Sequence, residues 1–520
     1  MNSSVSKSRT HKAKLNMLFS LSHQFIALIC GIVIPKLMLN AFGSEIYGAT
    51  SSIANFLSYI TLLEGGIGAV TRSALYKALA RRSTEQVSAI ISETKRFYRI
   101  IGIVFSVYVL VIACFFKQIA HTDAFDFWYS FTLVIVIAMA TAAEYFIGIS
   151  YSLLLQADQA QYVVLLFRIG STLLNAAAVI ILVSLKCDII TVKLVSSLVL
   201  SVRPILLSLY VRRRYRLVEV KGAKNMLENK QSAIGQHIAW TLHNNTDITV
   251  LTVFKNLSLV SVYSVHNMVV SQVQSILSAF STGMEAVFGS MYANRETENL
   301  QKTFGYYETM ISLLSTSLYA ITAVMIVPFV RIYTRNLVDV EYVNPLFAFM
   351  LVLASFLYCL RTPYSHMIIA AGHFKETRMA AYGEAIINIT SSIVLVIRIG
   401  LIGVAIGTVL ATSFRFAYYV FYLSGHVLYR KIGLFVKRIT ANAASFAAIC
   451  LLGNLVVKKI EMDTYIKWAV GSLIVAAIAA GISLGVNFIC YREDVKAIVQ
   501  KGFGNVIEKL RKRSRKHVNH

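Results

Sequence analysis

The chain has 520 residues, 57% of them hydrophobic and 14% charged, with a mean hydropathy of +0.64. Globular domains carry about 25% charged residues, so a water-soluble fold is excluded. The formal net charge of +25 does not point to nucleic acid, because Lys and Arg gather in short segments between apolar runs, the arrangement that orients membrane helices.

Apolar runs long enough to cross roughly 30 Å of hydrocarbon recur from end to end, and fourteen helices are expected. The first six cover 15–39, 46–75, 100–116, 128–155, 162–183 and 189–210. A basic loop follows. The next six cover 238–254, 257–288, 310–329, 346–370, 380–397 and 402–422, and two more cover 439–457 and 468–489. The first run is too long for a signal-peptide core and shows no clear cleavage site, so it is expected to stay as the first helix.

The loops test this count. Lys7, Arg9, Lys12 and Lys14 precede the first run; the connection 40–45 has neither Lys nor Arg; the next carries Lys77, Arg81, Arg82, Lys95, Arg96 and Arg99. Basic residues return at Arg212–Arg216, at Lys375 and Arg378, and at Arg430–Arg438, with Lys458 and Lys459 as the exception. This alternation predicts an even number of spans with both termini cytoplasmic. Trp128, Trp240 and Trp468 stand at helix starts, where an interfacial aromatic belt lies. The six cysteines include no C-x-x-C pair and read as small buried hydrophobes. The tail 492–520 mixes Val495, Ile498, Val499 and Phe503 with lysines and arginines; an amphipathic helix on anionic inner-leaflet lipid and a solvated basic tail are both open.

The chain also repeats. Gly170-Ser-Thr-Leu-Leu-Asn175 in the fifth span returns as Gly383-Glu-Ala-Ile-Ile-Asn388 in the eleventh, at an offset of 213. Tyr151-Ser152 returns as Tyr364-Ser365 at the same offset, and Tyr47-Gly48 as Tyr263-Ser264 at a similar one. Six spans per repeat give both halves the same orientation, an arrangement that puts a substrate path between parallel halves of a transporter. The expected organisation is an N-lobe over 1–211, a basic cytoplasmic linker over 212–235, a C-lobe over 236–430, two extra helices over 431–491 and the basic tail.

Ionisable side chains deep in a bilayer are costly and mark cavities, pathways or partners. Arg168, Arg203 and Arg415 lie inside the fifth, sixth and twelfth spans and are candidates for lining a cationic substrate cavity. The alternative for these arginines is structural pairing, such as Glu144 with Arg168. Asp247 with His243 one turn before it, Glu64 and Glu144 are candidates for ion coupling; because Glu64 precedes Gly65-Gly66, the alternative for it is the mark of a broken helix and not a ligand site. Lys36, Arg99, Arg361 and Arg398 lie toward helix ends and are expected to snorkel. There is no G-x-x-x-x-G-K-[ST] loop for ATP, no H-E-x-x-H zinc motif and no external loop long enough for a catalytic domain, so no enzyme activity and no metal site are expected.

The Phe42-Gly43-Ser-Glu-Ile-Tyr47-Gly48 turn, the Leu63-Glu64-Gly65-Gly66-Ile-Gly68 run and the Leu155-Gln156-Ala-Asp158-Gln159 connection resemble those of Wzx-type polysaccharide-biosynthesis flippases, members of the MOP superfamily with MATE exporters and lipid II flippases. The resemblance implies an all-α, MATE-like fold of about fourteen transmembrane helices, two six-helix lobes plus two. It implies a multi-pass protein of the bacterial inner membrane. Such a protein moves undecaprenyl-diphosphate-linked oligosaccharide to the outer leaflet by alternating access, for O-antigen, capsule or exopolysaccharide. It would work as a monomer beside the polymerase and glycosyltransferases of its pathway. No cofactor is expected beyond coupling to H+, Na+ or the membrane potential. The alternative is a MATE-type multidrug or organic-cation antiporter, which needs an acidic cavity.

Overall fold

In the computed structural model the described residues are 2–81, 83–123, 125–215, 217–218, 234–281 and 283–492. Among them there is no strand. Helix α1 (Asn2–Ser58) bends at Gly43, whose φ of 78° and ψ of 176° interrupt the helical path. A 3-10 turn (Tyr59–Glu64) and α2 (Ile67–Ala80) complete the second span. Then come α3 (Thr84–Ile119) and α4 (Phe127–Ala143), a π turn (Glu144–Gly148) and α5 (Ile149–Ala157). Helices α6 (Gln161–Ser184) and α7 (Ile189–Tyr215) close the first half.

The second half contains α8 (Ile234–Phe254), α9 (Leu257–Ser281), α10 (Met284–Ala293) and α11 (Thr297–Tyr333). It continues with α12 (Pro345–Ala371), α13 (Phe374–Ile399) and α14 (Leu401–His426), and α15 (Ile432–Lys459) and α16 (Tyr465–Cys490) end it.

Eleven described segments are long and apolar enough to cross a membrane. One of them holds two spans, because the chain turns at Gly43. Helix α8 and the α9–α10 pair complete the fourteen spans read from the sequence. The chain is a multi-pass membrane protein of all-α fold. Its apolar exterior agrees: Ile100, Ile103, Val107 and Leu110 form an exposed stripe on α3, a surface that lipid covers.

Several boundaries differ from the sequence reading. The expected loop over 40–45 is a bend at a single residue, since the residues on both sides keep their helical hydrogen bonds. Helices α3 and α11 begin about four turns ahead of their apolar runs, with Ser83 capping α3 through Gln86 N–H at 3.2 Å. Pro345 at the first turn of α12 follows an Asn344 cap, whose side chain accepts from Phe347 N–H at 3.0 Å. Trp128 and Trp468 do sit at helix starts, but the Trp468 indole is anchored inward, donating to Met325 O at 3.0 Å. All six cysteines are free; Cys359 is buried, whereas Cys114 faces outward from α3. Most of the basic linker and the tail from 493 onward lie outside the described residues.

The described chain forms two compact units. Unit 1 holds the described residues of 1–265 together with 336–340, and unit 2 holds those of 266–335 and 341–492. Unit 1 packs Phe105, Phe116, Leu133 and Val134 around α1, α3 and α4. It is also tied by polar contacts at its helix ends. Asp158 accepts from Lys12 Nζ at 3.0 Å and from Tyr215 OH at 2.7 Å, so the Leu155–Gln159 connection holds the starts of α1 and the end of α7. At Gly43, Asp339 accepts from Ser44 N–H at 2.7 Å and Ser44 Oγ at 2.8 Å, satisfying a donor at the restarted helix.

Candidate functional site

Membrane helices broken at corresponding places in two repeats point to a transporter's binding site, because irregular backbone is tolerated there only where it is buried in protein or lines a cavity. This chain has such a pair. The second span breaks at Gly65 and Gly66, with φ of 51° and 81°, and the eighth breaks at Gly283, with φ of 89°. Side chains other than glycine rarely adopt this left-handed backbone. The sequence reading of Glu64 as the mark of a broken helix is seen directly.

In unit 1 the break is surrounded by charge. Glu64 accepts from Tyr145 OH at 2.6 Å. Glu144, at the start of the π turn, accepts from Arg203 at 2.8 Å. A π turn inserts one residue into the helical register, and here it starts where two successive side chains, Glu144 and Tyr145, serve different helices. Arg72 reaches Gln156 at 3.3 Å. Arg203 and Glu144 are the charges that act on Arg168, and Arg168 and Arg203 act on His23. Glu144 thus pairs with Arg203 and not with Arg168. Arg168 is exposed and makes no ion pair among the described residues, about 10 Å into α6 at 1.5 Å per residue.

Asp247 is buried elsewhere in unit 1, where Tyr263 OH donates to it at 2.9 Å. His243 is half-buried one turn before it. The neighbouring face of α8 is polar: Asn245 accepts from Ser58 at 2.8 Å, and Asn55 donates to Thr249 at 3.0 Å.

Unit 2 contains two buried ion clusters. Glu384 of α13 is fully buried and bridges Arg361 of α12, at 2.5 Å, and Arg415 of α14. Arg415 also donates to Tyr419 OH at 2.9 Å. Glu308 of α11 takes a fork from Arg430, at 2.7 and 2.9 Å, together with Arg438 and Tyr364 OH. Such two-pronged pairs are the strong form of the guanidinium–carboxylate contact. Arg361 was expected to snorkel; instead it is buried and paired, since the middle of α12 packs against α13 and α14. Sequence reasoning placed Arg415 but not its partner Glu384, which stood in the repeat motif Gly383–Asn388. It missed Glu308 entirely, because that residue precedes the apolar run of α11.

At the Gly283 break, unit 2 also holds a cavity of about 460 Å³ between α9, α10 and α12. His366 Nδ1 lies 2.9 Å from Tyr307 OH, and its Nε2 lies 3.6 Å from Glu285 Oε1. Among the described residues no group of His, Cys, Asp and Glu side chains is placed to hold a metal ion.

No family model and no curated protein matches the sequence. Solved structures do. A lipid II flippase MurJ in an inward closed conformation matches with TM-score 0.67 and 15% identity, over 92% of this chain and 100% of that one. An inward-facing MATE-family multidrug resistance transporter of the MOP superfamily matches with TM-score 0.60 and 14% identity, over 78% of this chain and 98% of that one. A MOP-superfamily transporter from Pyrococcus furiosus with a binding pocket of reverse polarity matches with TM-score 0.53 and 16% identity, over 82% of this chain and 97% of that one. At these identities the likeness shows the fold: this chain has the architecture shared by MOP-superfamily transporters and flippases.

Proposed function

We propose that this MOP-fold chain is a Wzx-type flippase that moves undecaprenyl-diphosphate-linked oligosaccharide from the inner to the outer leaflet of a bacterial cytoplasmic membrane. The observation that carries the reading is Arg168, an exposed guanidinium inside a membrane-spanning helix with no ion pair among the described residues. A charge at that depth needs water or an anion, and a guanidinium fork suits phosphate oxygens. Arg203 joins Arg168 in the proposed anion-binding set of unit 1, whereas Arg415, expected in the same set, is enclosed with Glu384 in unit 2 and is assigned no anion. The comparisons lend support in one respect. The flippase match extends over 92% of this chain, whereas the exporter in the inward-facing state leaves about a fifth of it uncovered.

The energetics suffice. Moving about two negative charges outward, down an inside-negative potential of roughly 100–150 mV, releases about 5–7 kcal/mol. Coupling to H+ or Na+ through Asp247 and His243 is a further part of the proposal. Asp247→Asn is expected to remove ion dependence of transport in reconstituted vesicles while leaving detergent stability nearly unchanged; ion dependence that survives the substitution rejects the assignment.

The main test is charge reversal. Arg168→Glu is expected to lower surface-glycan export at least tenfold, and Arg168→Lys to retain part of it, because an ammonium keeps the charge but loses the fork. Export at the parental level in Arg168→Glu, at equal protein abundance, removes the reading. Organic-cation antiport predicts the opposite: an added carboxylate there leaves drug resistance intact or raises it.

A further inference from the structure

We propose that the cavity at the α9–α10 break of unit 2 is a saccharide site, which reads the hydroxyl groups of the sugar carried on the lipid. The assignment rests on the flippase reading above and adds to it the residues that meet the glycan.

Size comes first. A cavity of about 460 Å³ lies within the roughly 300–1,000 Å³ of ligand sites. Its lining then decides the ligand class. Gln274, Ser278 and Ser281 come from α9, and Tyr358 and Thr362 from α12. Glu285 of α10 and His366 of α12 supply the titratable groups. Among the described residues no Lys or Arg lines it, so it is a poor place for a diphosphate, which calls for charge-assisted donors. Nor is it the mostly apolar cleft that a hydrophobic drug fills.

The hydroxyl orientations sharpen the argument. Ser278 Oγ donates to Gln274 O at 2.9 Å, Ser281 Oγ to Leu277 O at 3.2 Å, and Thr362 Oγ1 to Tyr358 O at 3.3 Å. Each of these protons goes to a carbonyl one turn back. Beyond that bond Thr362 Oγ1 keeps lone pairs to present, while Ser281 also meets the Tyr307 hydroxyl. The Glu285 carboxylate accepts as well, and the Gln274 amide both donates and accepts. A wall with a carboxylate, an amide and a threonine hydroxyl, and with no Lys or Arg among its described residues, complements a ligand whose many O–H groups donate while their oxygens accept in return. That is a polyol.

His366 fits the same ligand. Its Nδ1 is engaged by Tyr307 OH at 2.9 Å, with the two rings stacked. Its Nε2 stands 3.6 Å from Glu285 Oε1, beyond hydrogen-bond range. One sugar hydroxyl placed against both accepts from the imidazole and donates to the carboxylate. The wall is also held still. Arg361 lies 4.8 Å from the centre of the Tyr358 ring and is itself fixed by Glu384. The buried triad therefore stiffens one side of the cavity, which gives its charge a reason to persist in unit 2. Pro363, beside Thr362, leaves one backbone carbonyl of α12 without its helical donor, and the Gly283 break gives the wall its irregular backbone.

The test uses the full-length chain in lipid nanodiscs. Thr362→Cys is modified with a hydrophilic maleimide, and modification of that position is followed by peptide mass spectrometry, with Ser278→Cys as an independent second position. The probes are methyl hexosides and methyl N-acetylhexosaminides. A probe at about twice its dissociation constant is expected to slow modification about threefold at either position, by simple one-site occupancy, while modification of a cysteine introduced at the exposed loop residue Val338 stays unchanged. Adding Glu285→Gln is expected to abolish the protection. If no glycoside protects either position, or if protection survives Glu285→Gln, the saccharide site is wrong. Protection by glycosides alongside undiminished export in Arg168→Glu keeps this site and removes the lipid-diphosphate reading.

Discussion

Glu384→Gln is expected to destabilise the protein by about 3–5 kcal/mol, the usual consequence of taking one partner from a buried ion pair. The carboxylate is fully buried and holds two guanidinium groups that are themselves at most 9% exposed. Glutamine offers one carbonyl oxygen to one arginine and turns an amide donor toward the other. Two positive charges then stay in a low-dielectric interior with no counter-charge. The loss corresponds to two to four orders of magnitude in the folded ratio, at about 1.4 kcal/mol per factor of ten. It is read as a lowered melting temperature in detergent and lower abundance in the membrane. The companion variant replaces Arg361, Glu384 and Arg415 together with methionine. Exchanging a whole buried ion cluster for apolar residues is often neutral or stabilising by about 1–4 kcal/mol. A triple variant that is stable and still exports glycan makes the triad scaffolding; one that is stable but inactive restores Arg415 to the transport path. Wild-type stability in Glu384→Gln contradicts the burial argument itself.

The contrast between Arg168 and Arg415 shows what the sequence can and cannot supply. Both were visible as deep arginines, because hydropathy places them along their helices. Neither environment was visible, since that depends on which way each helix face turns. Arg168 is exposed on α6 within reach of the charges of Arg203 and Glu144, whereas Arg415 is enclosed with Glu384. Arg361 failed for the same reason: distance from a helix end says nothing about packing, and this residue is 4% exposed.

The spans were legible because lipid demands long apolar runs, and the broken second span was legible in Gly65-Gly66. Gly283 carried the same signal at the corresponding place in the second half, yet the run 257–288 read as one span because its glycine stands alone. The repeat was more informative than its two matching motifs suggested. Lys95 stands over the Tyr151 ring at 4.5 Å and Arg212 donates to Tyr151 OH at 3.0 Å. At the same offset from Lys95 and Tyr151, Glu308 accepts from Tyr364 OH, and Arg430, which stands 218 residues after Arg212, donates to the same hydroxyl at 2.8 Å. The two halves keep the tyrosine and an arginine but exchange a cation for a carboxylate. A motif search that requires identity cannot see that substitution.

The second large effect is expected from a single methyl group. A Cβ at Gly48 would lie 1.8 Å from Leu257 O and 2.6 Å from its carbonyl carbon. Those atoms are backbone at the buried start of α9, where Ser261 also donates to Ser44 O. No rotamer change relieves the overlap, so α1 and α9 must separate within unit 1. Inside a helix, alanine is intrinsically better than glycine by about 1 kcal/mol, which works against the predicted loss. Overpacking of a tight interior costs typically about 1–3 kcal/mol and more where backbone must move, so the clash wins. Gly48→Ala is expected to lose about 3 kcal/mol or more and to melt roughly 6 °C lower, at about 2 °C or more per kcal/mol. Gly170→Ala and Gly305→Ala provide the internal standard, because an added Cβ at either meets nothing within 4 Å. Those two are expected to melt at or slightly above the parent. Three alanine variants with equal melting temperatures would mean that α1 and α9 do not approach at Gly48, and that the Tyr47-Gly48 pair is not a packing contact.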